Sequence, residues 1–302
     1  MKKVIYVLSL VVVLFGIFIY REDVVDIYYS LVKEFRSTDV TLEKNQYYRE
    51  YDFGFVQNTV DFEPNNMQDI MNIFYTVINS GQESFSFYCP DEYTNCTDDV
   101  KSIANDQSLL SHINNYVHPY NGFKHIETQY NSLGEVTITV FKSYDKNMIS
   151  AIDVKVDEII NTKIYSSYTD IEKIRIIHDY IINNSRYDLQ RSENNVLAYE
   201  SDNAYGPLIQ GYGICGGYSD AMQLFLEKFG IKSYKVASDT HVWNVVYLDG
   251  FWYHLDLTWD DPITADGTQI LDDDYFMIST NQLRSKNTSE HVYNQNIYLE
   301  VK

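Results

Sequence analysis

The apolar positions of this chain change spacing several times, and each change predicts an element. From Val4 to Tyr20 the chain is almost continuously apolar, interrupted only by Ser9 and Gly16 and preceded by Lys2-Lys3. A helix over that run is about 26 Å long, the short end of what crosses a bilayer, with its basic flank on the cytoplasmic side. Between Asn66 and Asn79, the residues Met67, Ile70, Met71, Ile73, Phe74, Val77 and Ile78 recur at helical spacing. Helical spacing returns from Met148 to Tyr165 and from Thr169 to Asn184, where Ile171, Ile174, Ile177, His178 and Ile181 share one face. A further helical run, Tyr218 to Phe229, is stopped by Gly230. Runs rich in β-branched and aromatic residues predict strands. Phe123 to Tyr130 and Val136 to Tyr144 flank the turn-like cluster Asn131-Ser132-Leu133-Gly134 and read as a hairpin. Lys232 to Ala237, His241 to Leu248 and Phe251 to Thr258 follow, the last two joined by Asp249-Gly250, the strongest short hairpin signal.

These elements divide the chain into a signal-anchor transmembrane segment (1–21), a stalk (22–62), an N-terminal α+β extension (63–165) and a C-terminal domain (166–302). Val24 to Phe35 continue the membrane helix outward in this reading. Small residues spaced for signal cleavage are missing after the apolar run, where Ile19-Tyr20-Arg21-Glu22 stand, so an uncleaved anchor is expected. The alternative is secretion after cleavage. Either way the rest of the chain lies outside the membrane.

Composition sharpens this picture. Hydrophobic residues are 45% of the 302 and aromatics 15%, enough for a sizeable core. A net charge of -20 repels nucleic acid, which is excluded as a partner. The three cysteines, Cys89, Cys96 and Cys215, suggest one pair and one free thiol. Cys89 and Cys96 could close a short staple or stay unpaired. Cys215 is left alone in both cases.

Candidate chemistry centres on that thiol. Cys215 precedes a helix among Gly211, Gly213, Gly216 and Gly217, where the helix N-terminus favours a thiolate and backbone N–H groups can face an oxyanion. A two-residue turn at Asp249-Gly250 pairs Leu248 with Phe251, which sets Trp243 against Asp256 and His241 against Thr258. His241 and Asp256 then share a sheet face one diagonal apart, about 7 to 8 Å between backbones. An imidazole and a carboxylate span that distance, so Asp256 can orient His241 while the other ring nitrogen faces a thiol. His254 falls on the same face as a packing or supporting group, and His178 reads as a core histidine. Neither paired cysteines nor a His-x-x-x-His spacing indicates zinc, and Asp272-Asp273-Asp274 reads as a solvated turn, so no metal and no cofactor are expected.

The blocks Tyr205-Gly206-Pro207-Leu208, Gly213-Ile214-Cys215-Gly216-Gly217-Tyr218, Thr240-His241-Val242-Trp243-Asn244 and Trp252 to Asp260 resemble the transglutaminase-like superfamily, in its bacterial, membrane-tethered or secreted branch. The resemblance covers about Thr169 to Pro262 and includes His178-Asp179-Tyr180 and Tyr187-Asp188. It implies an α+β, papain-like core with a nucleophile helix packed on an antiparallel sheet, here joined to an N-terminal α/β extension and a transmembrane helix. It also implies a Cys215-His241-Asp256 triad that attacks a protein or peptide amide, with the cell envelope as one source of substrate, through a thioester released by water or by an amine. Tyr205 or Gln210 is an oxyanion-hole candidate, with simple packing the alternative for Tyr205. Asn244 is a candidate to order the strand and Trp243 or Trp259 to wall the cleft, with core packing the alternative for each. The competing function is a non-catalytic cell-surface binding or scaffold module on the same fold.

Overall fold

A computed structural model describes residues 42–131, 134–262 and 270–302. The expected membrane segment and its continuation to Phe35 lie outside those residues. Among the described residues, no helix is long and apolar enough to cross a membrane.

The N-terminal half is built from α1 (Met67–Ser80), β1 (Ser84–Tyr88), α2 (Cys96–Asn105), α3 (Gln107–Asn114), β2 (Phe123–Tyr130) and β3 (Glu135–Lys142). Helix α1 starts where Asn66 accepts the N–H of Asp69 and stops at Gly81, whose φ of 78° closes the left-handed cap. The three strands form an antiparallel sheet in the order β1-β3-β2, so this part is α+β, with the expected hairpin as its β2–β3 pair. Cys89 and Cys96 are joined as a disulfide at the start of α2.

The second half contains α4 (Lys146–Lys163), α5 (Asp170–Asn184), the short β4 (Arg186–Tyr187), α6 (Leu189–Asn194), β5 (Tyr212–Gly213) and α7 (Cys215–Lys228). Strands β6 (Ser233–Ala237), β7 (Val242–Leu248) and β8 (Phe251–Leu255) follow, then α8 (Thr280–Lys286). Thr169 and Glu172 form a capping box that fixes the start of α5. Strands β6, β7 and β8 form a second antiparallel sheet in sequential order. Its period-2 alternation feeds two cores. Tyr234, Val236, Trp243 and Val245 face the core shared with α1, α2 and the first sheet. Val246 and Leu255 face α7, α5 and α4, through Tyr218, Phe225, Ile177, Ile181 and Ile152.

Two boundaries differ from the sequence reading. Phe53, Val56 and Phe62, placed in a stalk by weak periodicity, are buried in the first core, which extends on to Tyr298 and Val301. An irregular segment carries no period to detect, yet buries its few aromatic residues as firmly as a helix does. Likewise α4 falls within 63–165 but packs with α5 and α7.

Candidate active site

Cys215 is the first residue of α7, and the preceding Ile214 offers no side-chain cap, so the amides of the first turn stay available to an anion. The Ile214 N–H donates to the Ser201 carbonyl at 2.8 Å, which ties the loop before the helix to its N-terminus. The glycines around the cysteine have a role the sequence reading did not foresee. A Cβ on Gly217 would stand 2.3 Å from the Ser201 carbonyl oxygen, and one on Gly216 would stand 2.8 Å from that of Asp202. They admit the 201–203 backbone against the helix rather than keep space for a substrate.

The β7–β8 hairpin keeps the expected register, from Leu248↔Phe251 to Asn244↔Leu255, about a turn with φ of 51° at Asp249 and 88° at Gly250. The ladder ends there. Trp243 and Asp256 do not pair, because the Asp256 N–H donates to the Tyr275 carbonyl at 3.2 Å and the chain turns, with Asp260 N–H returning to the Asp256 carbonyl. The predicted strand to Thr258 is therefore three residues shorter, since β8 stops at Leu255. His241 and Asp256 flank the ends of their strands and still meet, His241 Nε2 lying 2.6 Å from Asp256 Oδ2. Cys215 acts on the same ring, adding to the hold on its proton. With Nε2 engaged by the carboxylate, Nδ1 is the ring nitrogen left for the thiol.

The electrostatics follow from burial and pairing. Burial disfavours a charged His241, but the Asp256 carboxylate outweighs it, with a further contribution from Cys215, and the ring is pushed up to about 10. Burial would likewise raise Asp256, yet the hydrogen bonds and charge of His241 and His291 hold it well below the usual carboxylate range. Asp256 is thus a fixed acceptor, and its Oδ1 also takes the N–H of Thr258 at 3.0 Å.

His254 lies behind this pair. Trp243 donates Nε1–H to His254 Nδ1 at 2.9 Å, and the Trp243 ring stacks on His241 with 5.6 Å between centroids. Burial, with His291 and Arg284 nearby, pushes His254 down to about 3, so it is neutral, donating from Nε2 towards Thr280 Oγ1. His254 thus bonds the ring that stacks on His241, and Trp243 is a buried packing residue. Asn244 donates to the Ser219 carbonyl at 3.0 Å and to Gln223 Oε1 at 3.2 Å, binding β7 to α7. Trp259 packs edge-on to His291. His178 is buried between Asp179 and Asp260, a core histidine.

A cleft of about 600 Å³ opens beside the α7 N-terminus, with Gly216 and Val242, the neighbours of Cys215 and His241, in its wall. Gln210 lines it, accepting the Glu200 N–H on Oε1 at 2.8 Å, so its amide nitrogen is the free end. Tyr205 instead packs against the second core. Ser111, Phe123 and Lys124 from the N-terminal half line the cleft as well. Asp220 and Lys235 form an ion pair at 2.5 Å in the cleft lining, and Tyr144 donates to Asp220 at 2.6 Å.

His291 escaped the sequence reading. Its Nε2 lies 2.9 Å from Asp256 Oδ2, the oxygen that His241 also contacts. It stands outside every motif block, and no local pattern marks it. Among the described residues, His241, Asp256 and His291 form a group whose potential metal-ligating atoms lie within 4.8 Å of one another. Their direct N–H···O contacts account for that proximity.

Residues 159–257 match the Transglutaminase-like superfamily. The human protein named Kyphoscoliosis peptidase is 26% identical over 145 residues, which are 40% of this chain and 21% of that protein. The chain therefore spans about a fifth of the length of this relative. A solved TGase structure aligns over 49% of this chain and 48% of its own, at 15% identity and a TM-score of 0.34. A protein from Cytophaga hutchinsonii, described as a candidate cysteine protease, aligns over 49% of this chain and 65% of its own, at 13% identity and a TM-score of 0.28.

Proposed function

For a chain that carries a domain of the transglutaminase-like superfamily, we propose an extracytoplasmic cysteine acyl-transfer enzyme acting on protein or peptide amides. The observation that carries this reading is His241 bonded through Nε2 to Asp256 at 2.6 Å, with Cys215, at a helix N-terminus, among the groups that raise the ring's hold on its proton.

In the proposed cycle, His241 Nδ1 takes the thiol proton and Cys215 Sγ adds to the amide carbonyl. The carbonyl oxygen gathers the negative charge, opposite the first-turn amides of α7 and the Gln210 side-chain amide. Collapse of this intermediate breaks the C–N bond, and the His241 proton passes to the leaving amine, leaving a thioester on Cys215. Water or a primary amine then attacks the thioester, His241 accepts its proton, and the thiol is restored. Asp256 keeps the imidazole oriented and stabilises its charged form throughout. Attachment outside a membrane is supported by the apolar run behind Lys2-Lys3 and by the Cys89–Cys96 disulfide, a bond of oxidising compartments.

The test incubates the full-length protein with a labelled primary amine and envelope proteins, reading amine incorporation and new chain termini in parallel. Incorporation marks transfer and new termini mark hydrolysis; the human relative's name, peptidase, favours the second. Either product should disappear in Cys215→Ala. Equal product from that variant would rule out the thiol mechanism, and no product from either protein would favour a binding module.

A further inference from the structure

Asp256 accepts from four donors. Oδ1 takes the backbone N–H groups of Thr258 and Trp259 at 3.0 and 3.3 Å, and Oδ2 is shared by His241 Nε2 at 2.6 Å and His291 Nε2 at 2.9 Å. That set fills the lone-pair capacity of an ionised carboxylate. An ionised carboxylate only accepts, so His291 Nε2 carries a hydrogen, while Nδ1 lies 2.7 Å from Thr288 Oγ1, a hydroxyl able to donate to it. The ring has no freedom to leave. It is buried, stacked on Tyr275 with 4.8 Å between centroids, and met by Trp259 and Trp243 at 4.9 and 5.0 Å.

We propose that His291 is a positioning residue for acyl transfer, donating Nε2–H to the Asp256 oxygen that orients His241 and thereby fixing the carboxylate and setting the basicity of His241. The inference rests on the acyl-transfer reading of Cys215, His241 and Asp256. An oxygen shared by two donors is a weaker acceptor for each, so His291 keeps His241 from holding its proton too tightly to pass on. The other titratable groups near His291 are Tyr275, stacked on it, and His254, which also feels the charge of Arg284.

Histidine-selective ¹⁵N labelling of the full-length protein tests this without a substrate. In the wild type, Nε2 should be protonated on both His241 and His291. In His291→Phe, which removes the donor and keeps an aromatic ring, the His241 titration midpoint should rise by about 0.5 pH unit or more. His291→Gln, whose amide N–H can replace the donor, should restore the wild-type midpoint. An unprotonated His291 Nε2 in the wild type overturns the proposal, and that measurement decides the matter even if His291→Phe does not fold. An unchanged or lowered His241 midpoint in folded His291→Phe overturns it too. Product formation by Cys215→Ala would instead remove the acyl-transfer reading and leave the His291–His241 coupling measurable.

Discussion

Gly217→Ala asks what the glycines after Cys215 are for. A methyl at this position would lie 2.3 Å from the Ser201 carbonyl oxygen, 3.0 Å from that of Asn203 and 3.2 Å from Pro207 Cδ. Ordinary contact begins at 3.4 Å, so the 201–203 backbone would have to retreat by about 1 Å. That retreat opposes the hydrogen bond from Ile214 N–H to the Ser201 carbonyl and the one from Gly206 N–H to Asn203. Overpacking costs about 2 kcal/mol, a strained hydrogen bond about 1, and alanine returns about 1 through helix propensity. The net expectation is a loss of about 2 kcal/mol, read as a lower urea midpoint at unchanged slope. If the glycine merely kept space for a substrate, the variant would be as stable as the wild type or about 1 kcal/mol more so. That result would refute the packing argument.

Two further expectations concern stability. His254 stays neutral in the folded state down to about 3, whereas the unfolded ring protonates near 6.5, so across that window only the unfolded state gains the proton and stability falls as pH falls. In His254→Gln, which still offers Trp243 an acceptor, the fall should be shallower than in the wild type by about 1.4 kcal/mol per pH unit; parallel urea-midpoint profiles would contradict this. Reducing the Cys89–Cys96 bond, which spans a sequence separation of 7, should cost about 2.5 kcal/mol by loop entropy, and calorimetry with and without reductant measures it.

The parts of this protein legible in its sequence were those governed by local rules. Apolar periodicity located α1, α4 and α5 to within a few residues, and Asp249-Gly250 set the β7–β8 register through which His241 and Asp256 approach each other. Phe53, Val56 and Phe62 were lost because an aperiodic segment reveals burial only through its partners, and α2 and α3 because they are short. Asp256 ends β8 early because its backbone bonds to Tyr275, a partner distant in sequence. His291 was illegible for the same reason. It reaches Asp256 across 35 residues of chain, and nothing around it in sequence announces the contact.

The proposed acyl transfer requires that His241, held by Asp256, activate Cys215. Cys215 is the free cysteine, the other two being joined, so iodoacetamide consumption by the oxidised full-length protein reports on it alone. The rate at neutral pH should be at least about tenfold higher in the wild type than in His241→Ala or Asp256→Asn, each checked for folding by circular dichroism. Equal alkylation rates in the three folded proteins would contradict the account.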